Sequence, residues 1–345
     1  MIKNWFYLSF IRVYLCASVA KIKIKIMKAI RVHELGAADK LTLEEIEKPT
    51  PKADEVLIKV VAAGINYADT MMRSGTYLTK PDLPFTLGYE AAGTIESLGE
   101  NVTNFQVGQR VLATTLSGGY AEFATAKAVT TMPIPDKLGY GEATALLVQG
   151  LTALGLLNDA KAGETILIHA AAGGVGTLLV QLAKHKGLTV IGTASSEQKL
   201  ELVASLGADY AINYSEDDWM DEVLKATDGK GVDWLIEMVG GDIVAKNLKV
   251  LAKHGTMWIY GSASGEDFKI SVLSLMAKNH AIRGYWLMNE SVGNRIRFTK
   301  ELLEHLGAGR LKIQVTEFPL EQAREAHEAI EGRKTTGKVV LTVNY

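Results

Sequence analysis

Residues Glu164 to Leu182, ETILIHAAAGGVGTLLVQL, decide the fold. A β-branched apolar run, Thr165 to His169, breaks into Ala-Ala-Ala-Gly-Gly-Val-Gly. The chain then takes up helical spacing, with Val175, Leu178, Leu179, Leu182 and Lys186 on one face. A strand, a glycine-rich turn and a helix in that order open a dinucleotide-binding unit. The unpaired N–H groups at the helix start favour a pyrophosphate there. The competing reading is an ordinary tight turn in an α/β protein, and the strand-to-helix context tells against it.

Toward the C-terminus the same alternation continues. Strands are predicted at 165–169, 189–193, 210–213, 232–237 and 255–259, with a sixth at 281–285, and helical patterns lie between them. Such alternation makes a doubly wound parallel sheet. Toward the N-terminus the pattern from Met27 to about Gln149 reads as strand and turn: 27–32, 41–46, 55–61, 88–98, 110–113 and 120–125. Glycine punctuation between them suggests a compact β-rich barrel or sandwich. A long helical stretch from Gly141 through Leu157 joins the two regions. From about Ser291, a helix (294–307), a strand (313–317), a helix (320–331) and a strand (337–343) return to the β-rich part. The expected boundaries are 27–149 completed by 291–345, with 150–290 as the nucleotide domain.

With 345 residues there is chain enough for two cores. A net charge of −2 gives no nucleic-acid footprint, and the single cysteine, Cys16, supports neither a disulfide framework nor a thiolate metal site. Residues 1–26 differ from the rest. Trp5 to Ala20 is nearly all apolar but short for a membrane span, and Arg12 falls at its centre. Ala17-Ser18-Val19-Ala20 offers a signal-peptide alternative. The preferred reading is an extension upstream of a start at Met27, with no membrane association.

Several segments carry a family resemblance. They are Asn66-Tyr67-Ala68-Asp69-Thr70, Arg73-Ser74-Gly75-Thr76-Tyr77, Leu87-Gly88-Tyr89-Glu90-Ala91-Ala92-Gly93, Gln149-Gly150-Leu151-Thr152-Ala153 and His169 through Gly176. From Met27 to Tyr345 the chain resembles the medium-chain dehydrogenase/reductases, and more narrowly the NADPH:quinone oxidoreductases related to ζ-crystallin. The resemblance implies an α/β protein with a β-rich GroES-like catalytic domain and a doubly wound Rossmann domain. Ala171 stands where the usual dinucleotide pattern has its first glycine.

Zinc-dependent relatives carry Gly-His-Glu, an early ligating cysteine and a four-cysteine lobe. Here the equivalent element is Gly88-Tyr89-Glu90, and no zinc set is expected; Glu90 reads as a structural carboxylate. NAD enzymes of this fold place an acidic residue after the second strand. Ala194 occupies that position here. Ser195, Ser196 and Lys199 are able to hold the extra phosphate of NADPH, a charge-assisted contact worth about 10- to 100-fold in affinity. The alternative makes Lys199 a solvated helix residue and the serines caps.

The resemblance adds Tyr214 beside that phosphate and Thr152 near the nicotinamide. It also adds Ala172, Gly173, Gly174, Val175 and Gly176 along the pyrophosphate, and Val239, Gly261 and Ser262 at the carboxyl edge of the sheet. Arg283 and Arg333 are implied at the cleft, each with an ion-pair alternative. Asn66 is implied to face the nicotinamide. Tyr67 and Tyr77 are candidate donors to the reduced oxygen, or aromatic wall. Met71 departs from the family, whose quinone reductases have tyrosine there.

Hydride transfer needs alignment and hydrogen-bond donors rather than an acid–base dyad. The expected activity is zinc-free, NADPH-dependent reduction of a quinone or quinone-like acceptor. The alternatives are reduction of an α,β-unsaturated carbonyl compound, or a non-enzymatic NADPH-binding, crystallin-like role. A cytoplasmic homodimer or homotetramer is expected, acting on a small molecule.

Overall fold

The computed structural model describes residues 25–115 and 118–345. The apolar segment and the possible cleavage site of the first 24 residues lie outside them, whereas Met27, the expected start, is among those described.

The N-terminal half is built by alternation. Strands β1 (Ile26–Val32), β2 (Leu41–Glu47) and β3 (Glu55–Ile65) are followed by helix α1 (Tyr67–Ser74). Then come β4 (Phe85–Thr86), β5 (Glu90–Leu98), β6 (Arg110–Thr114), β7 (Phe123–Lys127) and β8 (Thr131–Pro133). Helix α1 corrects the strand-and-turn reading of this region. Its start is held by the Asp69 carboxylate, which accepts the Asn66 N–H at 2.7 Å, a reciprocal contact typical of helix starts. It stops at Gly75, whose φ of 79° is left-handed.

The connecting helical stretch is α2 (Tyr140–Thr144), a π-turn (Leu146–Gly150) and α3 (Leu151–Leu156). The nucleotide unit follows: β9 (Thr165–Ile168), α4 (Gly174–His185), β10 (Thr189–Ala194), α5 (Glu197–Ser205) and β11 (Tyr210–Asn213). It continues with α6 (Trp219–Ala226), β12 (Val232–Glu237), α7 (Ile243–Val250), β13 (Leu251–Ile259), α8 (Val272–Lys278) and β14 (Ala281–Gly284). The chain ends with α9 (Val292–Gly307), β15 (Val315–Pro319), α10 (Ala323–Glu331) and β16 (Lys338–Thr342).

The six strands β9 to β14 pair in the order β11-β10-β9-β12-β13-β14, all parallel. The order reverses between β9 and β12, and ligands of doubly wound sheets bind beyond the carboxyl ends at such a point. The second large sheet runs β15-β16-β3-β5-β6-β8, with β7 also on β3. Strand β16 pairs antiparallel with β3, so the C-terminal return completes the β-rich body.

Each body has its own core. Ile166, Ile168, Leu178, Leu179 and Val190 pack in one, joined by Phe298 and Leu302 of α9. Ile58, Val60, Ile95, Val111 and Leu341 pack in the other. Helix α9, expected with the β-rich part, sends Phe298 and Leu302 into the nucleotide core and Leu303 and Leu306 against the cluster that holds Ala92 and Leu112 of the β-rich body. Strands β15 and β16 join the sheet of that body, and α10 packs on it.

Candidate active site

The cleft between the two bodies has a volume of about 530 Å³. Its floor is the turn after β9. Ala170 there has a φ of 50°, a left-handed conformation costly for a side-chain-bearing residue. A Cβ on Gly176 would overlap the Ala170 carbonyl and the Ala171 backbone, so only glycine lets α4 start this close to the strand. Beneath the turn, the fully buried His169 bonds Thr193 Oγ1 through Nδ1 at 2.8 Å and Asn247 Oδ1 through Nε2 at 2.8 Å. Asn247 Nδ2 donates in turn to Glu237, whose Oε1 accepts the N–H groups of Val239 and Gly240. One buried network thus sets both loops at the carboxyl edge. The β-rich body reaches the same place, where Gly337 N donates to Ala172 O at 2.9 Å.

One end of the cleft is cationic. Ser195, Lys199, Tyr214 and Arg333 line it. Lys199 Nζ donates to the Arg333 carbonyl at 2.6 Å, and burial together with the Arg333 charge lowers the Lys199 pKa. Arg333 is itself left-handed, with a φ of 55°. Lys199 and Arg333 are the charged side chains lining the cleft among the described residues.

The other end is apolar and aromatic, with Tyr67, Met71, Tyr77, Leu78, Val148, Trp286, Leu287 and Met288. The two phenols there have different hydrogen-bond roles. Tyr67 donates to the Ala263 carbonyl at 2.7 Å, so its proton is engaged. Tyr77 accepts from Trp286 Nε1 at 3.0 Å, which leaves its own hydrogen for the cleft. Burial raises the Tyr67 pKa, with the Glu331 charge adding to it.

Asn66 is oriented from behind. Its Oδ1 accepts from Lys338 Nζ at 3.1 Å and its Nδ2 donates to Glu90 Oε1 at 2.9 Å. The ammonium of Lys338 also bonds Ile65 O at 3.1 Å and the carboxylate of Glu90. With Oδ1 occupied, Asn66 offers the cleft one remaining N–H. Glu90 Oε2 accepts Val148 N at 3.2 Å, so the fully buried Glu90 ties the β-rich body and the π-turn together.

A second buried chain lies deeper. Asp69 Oδ2 accepts from Tyr120 Oη at 3.3 Å, and Tyr120 Oη meets His327 Nε2 at 3.2 Å. His327 Nδ1 meets Arg73 Nη1 at 3.2 Å, and Arg73 pairs with Glu331. Burial pushes the Asp69 carboxyl up to about 7. Burial, with the Arg73 charge beside it, lowers His327 to about 3.

Of the residues singled out from sequence, the cleft gathers Asn66, Tyr67, Tyr77, Thr152, Ala172 to Gly176, Ser195, Lys199, Tyr214, Val239, Gly261, Ser262 and Arg333. Two lie elsewhere. Ser196 is the exposed N-cap position of α5. Arg283 is exposed and paired with Asp159 at 3.2 Å. Alternation along β14 carries its side chain off the cleft, over the Trp258 ring. Sequence reasoning missed Gln149 and the wall at Tyr285 to Met288, whose approach to Tyr77 and Tyr89 spans about two hundred residues.

The residues present do not fit a catalytic zinc. The Glu90 carboxylate is engaged by an ammonium, and no group of three or more His, Cys, Asp or Glu is placed to hold a metal among the described residues. Nor does any helix among them have the length and apolarity to cross a membrane.

Two family descriptions match the chain: "Alcohol dehydrogenase GroES-like domain" over residues 52–136 and "Zinc-binding dehydrogenase" over 174–305. The quinone oxidoreductase of Homo sapiens is 38% identical over 324 residues, covering 92% of this chain and 98% of the relative. A 2-haloacrylate reductase of Burkholderia sp is 35% identical over 333 residues, covering 92% of this chain and 98% of that protein. The structure of Escherichia coli quinone oxidoreductase complexed with NADPH aligns with a TM-score of 0.86 at 31% identity. It covers 91% of this chain and 99% of that one.

Proposed function

The chain belongs to the quinone oxidoreductase family, and on that premise we propose that it is an NADPH-dependent reductase of neutral, apolar quinone-type acceptors. The observation that carries this reading is the polarity of the cleft, cationic at one end and uncharged at the other. The dinucleotide turn between them supports a pyrophosphate across the α4 amides, and Lys199 and Arg333 suit the additional phosphate.

When bound, NADPH supplies the two electrons and one proton of a hydride. The protein's own part is alignment, exclusion of water and donation. The buried Glu90–Lys338 pair holds the Asn66 amide with one N–H toward the cleft. Tyr77, held by Trp286, directs its hydroxyl hydrogen to where charge develops on the acceptor oxygen. Tyr67 joins α1 to the Gly261–Ala263 loop across the cleft rather than donating to substrate. The apolar wall excludes water, which strengthens those donors.

Reduction of a short enone is the second reading. Met71, where the family's quinone reductases have tyrosine, lines the acceptor end and supports it. Steady-state NADPH oxidation with a small quinone and a short enone ranks the two. A higher specificity constant for the quinone is expected, and the reverse order would replace the first reading with the second.

A homodimer through the nucleotide unit is also proposed. Strand β14 is a sheet edge, and in the helix that precedes it, α8, Val272, Leu273 and Met276 are 68%, 74% and 65% exposed. Light scattering on the purified protein tests it, and a monomer at micromolar concentration would refute it. Dependence on a reduced carrier favours the cytoplasm.

A further inference from the structure

Gln149 is only 7% exposed and lines the cleft, yet its Oε1 has no hydrogen-bond partner among the described residues. An unpaired buried carbonyl oxygen is costly, and most such groups in native proteins are satisfied. Two local features hold it there. Gln149 belongs to the π-turn Leu146–Gly150, an irregularity that recurs at functional sites, and Val148 N anchors that turn on Glu90. The amide also lies over the start of α4, where a Cβ on Gly174 would overlap its Nε2, Cδ and Oε1. Gly174 lies between the pattern positions Gly173 and Gly176 and is not left-handed. Room for the Gln149 amide therefore accounts for its missing side chain.

An unpaired acceptor calls for a donor. Phosphate oxygens only accept in their ionised form, so a pyrophosphate on the α4 amides does not satisfy Oε1. The hydroxyls of the sugar next to it do. We propose that Gln149 Oε1 accepts a hydrogen bond from a hydroxyl of the ribose that carries the nicotinamide. The proposal rests on the NADPH reading above. It makes Gln149 a cofactor contact that fixes the reactive half of the carrier rather than its phosphate end.

The test is calorimetric titration of wild type and Gln149→Met with three probes. NADPH carries the ribose and nicotinamide, 2′-phospho-ADP-ribose keeps the ribose without the nicotinamide, and adenosine 2′,5′-bisphosphate lacks both. The expected result is about tenfold weaker binding of the first two and unchanged binding of the third. The apo melting temperature should equal or exceed that of wild type, because an unpaired buried oxygen has been removed. Gln149→Leu should repeat the pattern if the thioether disturbs packing. Unchanged NADPH affinity would overturn the proposal. So would a loss confined to NADPH, which moves the contact to the carboxamide, or an equal loss on all three probes, which signals general damage. Wild type that binds none of the probes would refute the NADPH reading itself, and the proposal with it.

Discussion

Where Ser195, Lys199, Tyr214 and Arg333 meet, positive groups line the cleft directly; where Tyr67, Met71, Tyr77 and Trp286 meet, the charges sit behind the wall and are consumed by one another. The first arrangement selects an anion. The second leaves Lys338 saturated by Ile65, Asn66 and Glu90, with no net charge to attract a carboxylate. On the proposed reading, the most highly charged part of the cofactor takes one end of this cleft and a neutral acceptor the other. Burying an ion pair is weak evidence for stability in itself; here its product is the orientation of the Asn66 amide.

The contrast breaks most severely if the hidden pair is split. Lys338→Met should leave Glu90 buried without a counter-ion and cost about 3–5 kcal/mol, read by urea unfolding. Glu90→Gln with Lys338→Met should recover most of that loss, and a double variant as unstable as the single one would contradict the pairing.

The deeper charges are separable by pH. Asp69 is raised from 3.8 to about 7 in the fold. The native state therefore holds a proton that the unfolded chain releases, and its contribution falls as pH rises from about 4 to 7. His327 is lowered from 6.5 to about 3, so its contribution is complete above about 6.5 and is lost as pH falls toward 3. The two slopes oppose each other across the shared window. Relative to wild type, Asp69→Asn should gain up to about 1.4 kcal/mol per pH unit between pH 4 and 7. His327→Gln should drift the other way. Parallel curves for either variant would remove that group from the balance.

At the exposed end the effects are smaller. Lys199→Ala should weaken NADPH binding about tenfold or more while leaving NADH nearly unchanged. Arg333→Ala should act in the same direction but less, since its side chain is better solvated. Equal losses for both cofactors would remove the phosphate from this end. Smallest of all is the separation of the phenols. Tyr77→Phe should lower kcat about tenfold, whereas Tyr67→Phe, which loses only the bond to Ala263, should change it by no more than about threefold. Matching losses would erase the distinction drawn from their hydrogen bonds.

The nucleotide half was legible because its signals are local. Periods of two and of 3.6, with glycine at the turn, placed β9, α4, β11 and β12 within a residue or so of where they lie. Helix α1 was less legible because its eight residues include only a short apolar stretch, although Asn66, Asp69 and Gly75 are the punctuation of a helix. The acceptor end was mostly invisible. Glu90 and Lys338 lie 248 residues apart, and nothing in either segment announces the other. Arg283 was misplaced because proximity to a strand end says nothing about which face the side chain takes.

The most direct test of the cleft's polarity compares specificity constants, at saturating NADPH, for a neutral para-quinone and the same ring bearing a carboxylate. The neutral compound should be preferred by about tenfold or more, since no cation meets the acid and its desolvation goes uncompensated. Equal or better turnover of the carboxylated quinone would contradict an uncharged acceptor end.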